Sequence, residues 1–254
     1  MVSASEGWAV GLGPQMLHYT GGAWAPVNSP ATNWLNSVYM ISASEGWAVG
    51  IRDILHYTDG WWTRVPNPTP SSLFSVFMLS PSEGWVVGNG GVILHYTGGA
   101  WVLVDSPITQ RLSSVFMLSP SEGWVVGNGG VILHYTGGAW VLVDSPTTYD
   151  LTSVYMVSAS QGWAVGGRGT ILRYDGNSWT AIASPTTDYL FSLFMLSPNE
   201  GWAVGHFGLI LRYDGNSWAV VASGIPVATP TVAPTPSGAY RAFLPLAFRT
   251  QVCN

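Results

Sequence analysis

The stretch SVFMLSPSEGWVVGNGGVILHYTGGAWVLVDSP occupies residues 75–107 and recurs without a substitution at residues 114–146. Looser copies lie on either side. The pattern G-W-[AV]-V-G starts at Gly7, Gly46, Gly84, Gly123, Gly162 and Gly201, in steps of 39, 38, 39, 39 and 39. A fixed period of this length marks a solenoid, a propeller or an array. Inside one copy four runs stand out: Ser114-Val-Phe-Met-Leu, Gly123-Trp-Val-Val-Gly, Val131-Ile-Leu-His-Tyr and Trp140-Val-Leu-Val. Each is rich in Val, Ile, Leu and aromatic residues and is bounded by Ser, Pro, Asn or Gly. That is the signature of a strand between turns, and helical spacing is absent. We label the runs A to D. The connections S-P-S-E-G, N-G-G and T-G-G-A are short, so neighbouring strands are antiparallel and each repeat is a four-stranded meander.

A lone meander that is apolar on both faces must bury itself against its copies. Four-stranded units of about 40 residues packed radially form a β-propeller. The sequence therefore predicts an all-β fold, a propeller of about six blades over residues 1–224. Repeat one lacks strand A, because Met1-Val2-Ser3 aligns with Met40-Ile41-Ser42; this gives 23 strands in place of 24 and an incomplete first blade, as in a fragment of a larger propeller. Twelve of the fourteen tryptophans fall at two repeated places: Trp8, Trp47, Trp85, Trp124, Trp163 and Trp202 on strand B, and Trp24, Trp62, Trp101, Trp140, Trp179 and Trp218 opening strand D. Such regularity predicts packing between blades. Residues 225–238 are Pro/Thr-rich and read as an extended linker, followed by a short tail at 239–254.

The repeat unit GWVVGNGGVILHYTGGAW resembles blades of photosystem II stability/assembly factor-like propellers, within the BNR or Asp-box repeat class. The resemblance rests on Gly123, Trp124, Val126, Gly127, Gly130, Ile132, Leu133, Gly137, Gly138 and Trp140, and extends over residues 1 to about 222. The Asp-box is degenerate: Asp59, Asp175 and Asp214 remain, while repeats one, three and four read Gly-Gly-Ala-Trp. The resemblance implies a propeller that serves as an assembly or binding scaffold, with its aspartates stabilising turns.

Composition narrows the functions. The chain has 254 residues, 47% hydrophobic and 8% charged, with eight arginines, no lysine, thirteen carboxylates and a net charge of −5. No basic run offsets that charge, so nucleic acid is not an expected partner. The single cysteine, Cys253, permits no intrachain disulfide and no cysteine zinc site. No apolar run reaches the ~20 residues of a membrane helix, and no secretory signal opens the chain. The expected location is extracellular or at the cell surface of a bacterium, and the expected state is a monomer.

Candidate chemistry thins out on inspection. His18, His56, His95 and His134 repeat on strand C, with Arg173 and Arg212 in the last two repeats. Strand C lies ~10 Å outward from strand A, so equivalent histidines cannot converge on one ion; no metal or other cofactor is expected. Glu6, Glu45, Glu83, Glu122 and Glu200 share the A–B turn and are likewise dispersed. No catalytic motif is present, so the chain reads as non-enzymatic, with a sialidase-like glycosidase the least favoured alternative. Variation concentrates in the B–C and D–A loops, which meander geometry places on one face. Candidate binding residues there are Trp34, Arg52, Asp53, Gln110, Arg111, Tyr149, Asp150, Arg168, Asp188, Tyr189, His206 and Phe207. Loops on a rigid scaffold are where recognition is usually built, and the variation reads equally as drift. The expected partner is a protein or other macromolecule; a glycan bound by a propeller lectin is the alternative.

Overall fold

The computed structural model describes residues 2–224, so the linker and tail read at 225–238 and 239–254 lie outside the described residues. It is an all-β, six-bladed β-propeller of 23 strands, five blades having four antiparallel strands and the first having three. The strand count and the incomplete first blade agree with the repeat reading. Inner strands A (Leu35–Met40, Leu73–Ser80, Leu112–Ser119, Leu151–Ser158 and Leu190–Ser197) pack against one another from blade to blade. A serine at their third position ties neighbours together: Ser37, Ser75, Ser114 and Ser153 Oγ accept the N–H groups of Val76, Val115, Val154 and Leu193 at 3.2–3.3 Å. In each A–B turn the residue two after a serine donates its N–H to that Oγ, as Ser82 does to Ser80 at 3.2 Å. A short polar side chain thus substitutes for a backbone partner in the turn.

The joints between blades are aromatic. Trp124 of blade four is 1% exposed, its ring 4.7 Å from Tyr174 and 5.4 Å, edge-on, from Trp179 of blade five. The same triplet recurs at Trp8, Trp47, Trp85 and Trp163. Edge-on and tilted rings let positive ring edges meet negative faces and add to the area buried. Two of the twelve repeat tryptophans depart from the pattern. Trp202 on blade six is 37% exposed and Trp24 on blade one is 44% exposed, and Leu17, whose counterparts are fully buried, is 38% exposed. Among the described residues, the faces of blades six and one that look toward each other do not form the joint that the other blades form.

Candidate functional site

The B–C and D–A loops do lie on one face, and backbone bonds lock them together. The N–H groups of Ile51, Asn89, Asn128, Gly167 and His206 donate to the carbonyls of Trp34, Ser72, Arg111, Asp150 and Tyr189 at 2.8–2.9 Å. Those five acceptors each precede the leucine that opens an inner strand, so they ring the axial mouth on this face. The last residue of strand B must be glycine for the loops to approach. A Cβ on Gly127 would run into the Arg111 carbonyl, and one on Gly166 into that of Asp150. The scaffold therefore fixes the backbone of these positions and leaves their side chains to differ.

Several candidates are brought together here. The Arg111 guanidinium stands 3.6 Å over the centre of the Phe74 ring, a favourable cation–π distance. Asp150 and Tyr189 are close enough to act on its charge. Burial lowers the pKa of Arg111 and raises that of Tyr189, to which the Asp150 charge adds. Asp150 Oδ1 also accepts the Gly129 N–H at 2.8 Å. Arg168 lies 5.2 Å over the Tyr149 ring, and Tyr149 ends an open depression lined from Ser145 onward. His206 sits 5.5 Å from Tyr189, 4.6 Å from Phe191 and 5.5 Å from Phe207. An arc of rings and guanidinium groups thus runs from Phe74 to Phe207.

Other candidates take different roles. Asp53 is 2% exposed and engaged inside the fold: it pairs with Arg64 Nη2 at 3.0 Å and accepts the Thr32 N–H and hydroxyl at 2.8 and 3.3 Å. Gln110 Oε1 accepts the Thr109 N–H at 3.2 Å, and the Asp188 N–H donates to Thr186 Oγ1 at 3.0 Å; both residues stay exposed. Trp34, 51% exposed, and Arg52 stand on the blade-two side of the mouth. Sequence reading missed Phe74 and Phe191 as parts of the face. A signal existed: the position after the opening leucine reads Asn36, Phe74, Ser113, Thr152 and Phe191, unusual scatter inside an otherwise constant strand.

The histidine and glutamate repeats belong to the opposite side of each blade and are structural. Each strand-C histidine stacks on the strand-B tryptophan of its own blade at 3.9–4.0 Å and 10–13°. Its Nε2 faces the A–B-turn glutamate at 3.2 Å for His18–Glu6, widening to 3.9 Å for His134–Glu122. Arg212 keeps both contacts, with Glu200 at 2.8 Å and Trp202 at 5.6 Å. Burial lowers the His134 pKa, opposed by the Glu122 charge. Asp175 and Asp214 sit in C–D turns, where each Oδ1 accepts two backbone N–H groups at 2.9 Å; those bonds lower both pKa values. No group of three or more potential metal ligands occurs among the described residues.

No family model matches the chain, and no curated protein matches it. Solved structures do. A structure of YCF48 bound to D1 peptide is 24% identical, with a TM-score of 0.70 over 87% of this chain and 78% of that one. YCF48 from Cyanidioschyzon merolae is 20% identical, with a TM-score of 0.68 over 83% of this chain and 80% of its own. The RRP9 WD40 repeats reach a TM-score of 0.69 at 7% identity, over 86% of this chain and 76% of theirs. At such identities the likeness shows the fold: this chain is built as a β-propeller of the kind seen in YCF48.

Proposed function

We propose that the chain is a non-catalytic scaffold that binds a protein segment on its B–C and D–A loop face. One observation carries the reading. At the axial mouth the Arg111 guanidinium stacks on Phe74, the second residue of an inner strand, and Arg111, Asp150 and Tyr189, from three successive D–A connections, act on one another's charge. Aromatic residues and arginine are the types enriched where proteins recognise one another. One solved structure of similar fold holds a peptide, which supports a peptide as the ligand class. A glycan reading draws on tryptophan platforms, but ten of the twelve repeat tryptophans lie in blade joints.

Photocrosslinking tests this. A benzoylphenylalanine placed at Gln110, on the loop face, and one at Ser121, on the A–B-turn face, are compared in the native cell. Specific adducts are expected from position 110 and not from 121. Arg111→Ala should weaken adduct formation about tenfold, the scale of an interface hot spot. The same adducts from both faces, undiminished by Arg111→Ala, would refute the loop-face reading.

A further inference from the structure

The identical repeats show what a B–C turn needs. They read Asn89-Gly90-Gly91 and Asn128-Gly129-Gly130, and Gly90 and Gly129 adopt φ of 71° and 69°. The equivalent positions in blades five and six are Arg168 and Phe207, at φ of 54° and 56°; the blade-two turn is one residue shorter and holds Arg52 at 64°. Left-handed backbone suits glycine and is disfavoured for any residue with a Cβ, most of all a bulky one. Space does not force the choice, because a Cβ on Gly90 or Gly129 meets nothing within 4 Å. The turn is therefore complete with glycine, and side chains at 168 and 207 are held against a backbone preference. Residues kept in such conformations cluster where the side chain has a task.

Arg168 has a visible one, stacking toward Tyr149, which is itself 44% exposed. Phe207 does not bury itself in return: at 82% it is the most exposed large hydrophobic side chain among the described residues. Beside it stand His206 and, packed on His206, Phe191 and Tyr189. The turns of blades three and four carry glycine at this position.

We infer that Phe207 is a specificity-determining contact: it packs against a large apolar side chain of the bound protein segment. His206, Phe191 and Tyr189 form the floor of that contact, and Arg168 with Tyr149 continues it over blade five. The inference rests on the loop-face reading and narrows it to the arc over blades five and six. Close-set aromatic rings that a partner covers are where binding energy concentrates.

The test uses the full chain and a phage-displayed library of random dodecapeptides. Peptides enriched on the wild type are synthesised and titrated against Phe207→Gly and Arg111→Ala. Because glycine suits the turn, Phe207→Gly should melt no lower than wild type, and up to about 4 °C higher. Enriched peptides should carry a large apolar residue and lose about tenfold or more in affinity for Phe207→Gly. Peptides that ignore Phe207→Gly but are weakened by Arg111→Ala would overturn this inference and leave the loop-face reading standing. Peptides indifferent to both would overturn both. A lower melting temperature for Phe207→Gly would make Phe207 a structural residue and overturn the inference, as would a library that yields no enriched peptide.

Discussion

Truncating the same repeat position in two blades separates what a tryptophan does at a joint from what it does inside its own blade. Trp124 and Trp202 occupy equivalent places on strand B; the first is 1% exposed and the second 37%. A tryptophan buries up to ~250 Å², worth ~6 kcal/mol at ~25 cal/mol per Å² when fully covered. Scaling by burial gives ~6 kcal/mol for Trp124 and ~4 kcal/mol for Trp202. Measured tryptophan truncations fall at ~3–5 kcal/mol because neighbours relax. Trp124 also loses its contacts with Tyr174 and Trp179, at ~0.5–1.5 kcal/mol per aromatic pair. Trp124→Ala should therefore exceed Trp202→Ala by about 2 kcal/mol or more, a further drop in melting temperature of ~4–8 °C. Thermal and urea unfolding followed by circular dichroism measure the difference. Both tryptophans keep an intrablade partner, His134 at 4.0 Å and Arg212 at 5.6 Å. Equal losses in the two variants would mean that these partners, and not the joint, supply the stabilisation, and the joint argument would fail.

Arg64→Ala leaves the Asp53 carboxylate buried with only Thr32 as partner. Because Arg64 is itself 43% exposed, the expected cost is about 2 kcal/mol, below the ~3–5 kcal/mol of a fully buried pair; Asp53→Asn in the Arg64→Ala background should recover part of it in the same melts. For His134, burial lowers the folded pKa, so the unfolded chain takes up the proton first. Its contribution is then full above an unfolded pKa of ~6.5 and is lost as pH falls through the folded value. His134→Arg, copying blades five and six, should fold and remove that component from a stability-versus-pH curve; an unchanged slope near pH 6 would count against it. Asp175 and Asp214 are held low by backbone N–H groups, so their turns should hold above pH ~4 and loosen as pH falls through the folded values. Amide exchange at Asn177 and Ser178 should speed up there, and exchange independent of pH after correction for its intrinsic rate would refute the assignment.

The blade was legible because every level of the repeat agrees. A period near 39, four short apolar runs and turn residues at constant offsets leave one architecture that buries all of the copies. The Trp–His–Glu contacts were less visible, though they follow from register: pairing of strands B and C sets Trp8 opposite His18 and Glu6 opposite Thr20. Each of the repeated glutamates lies beside the histidine or arginine of strand C in its own blade. Asp53 looked like a loop candidate because its partners, Thr32 and Arg64, come from another loop and another strand, a juxtaposition without a local signal. The exposure of Trp24 and Trp202 was equally hidden, since their own sequence contexts match those of buried counterparts.

The two identical repeats show where individuality enters. Trp85 and Trp124 are each 1% exposed, Trp101 and Trp140 each 4%, and their turns share one geometry. Identical sequence has produced identical architecture. Yet the turn N–H of Gly129 donates to the Asp150 carboxylate, while the residue that stands in the place of Asp150 for the Gly90 turn is Arg111, a cation with nothing to accept from an N–H. One turn is capped by a carboxylate and its twin is overlooked by a guanidinium stacked on Phe74. The difference arises wholly in the short connections between repeats, whose backbones the scaffold pins and whose side chains it does not constrain. A propeller of this design can therefore copy a blade intact without copying its loop face, because the side chains that differ around these two copies belong to the spacer.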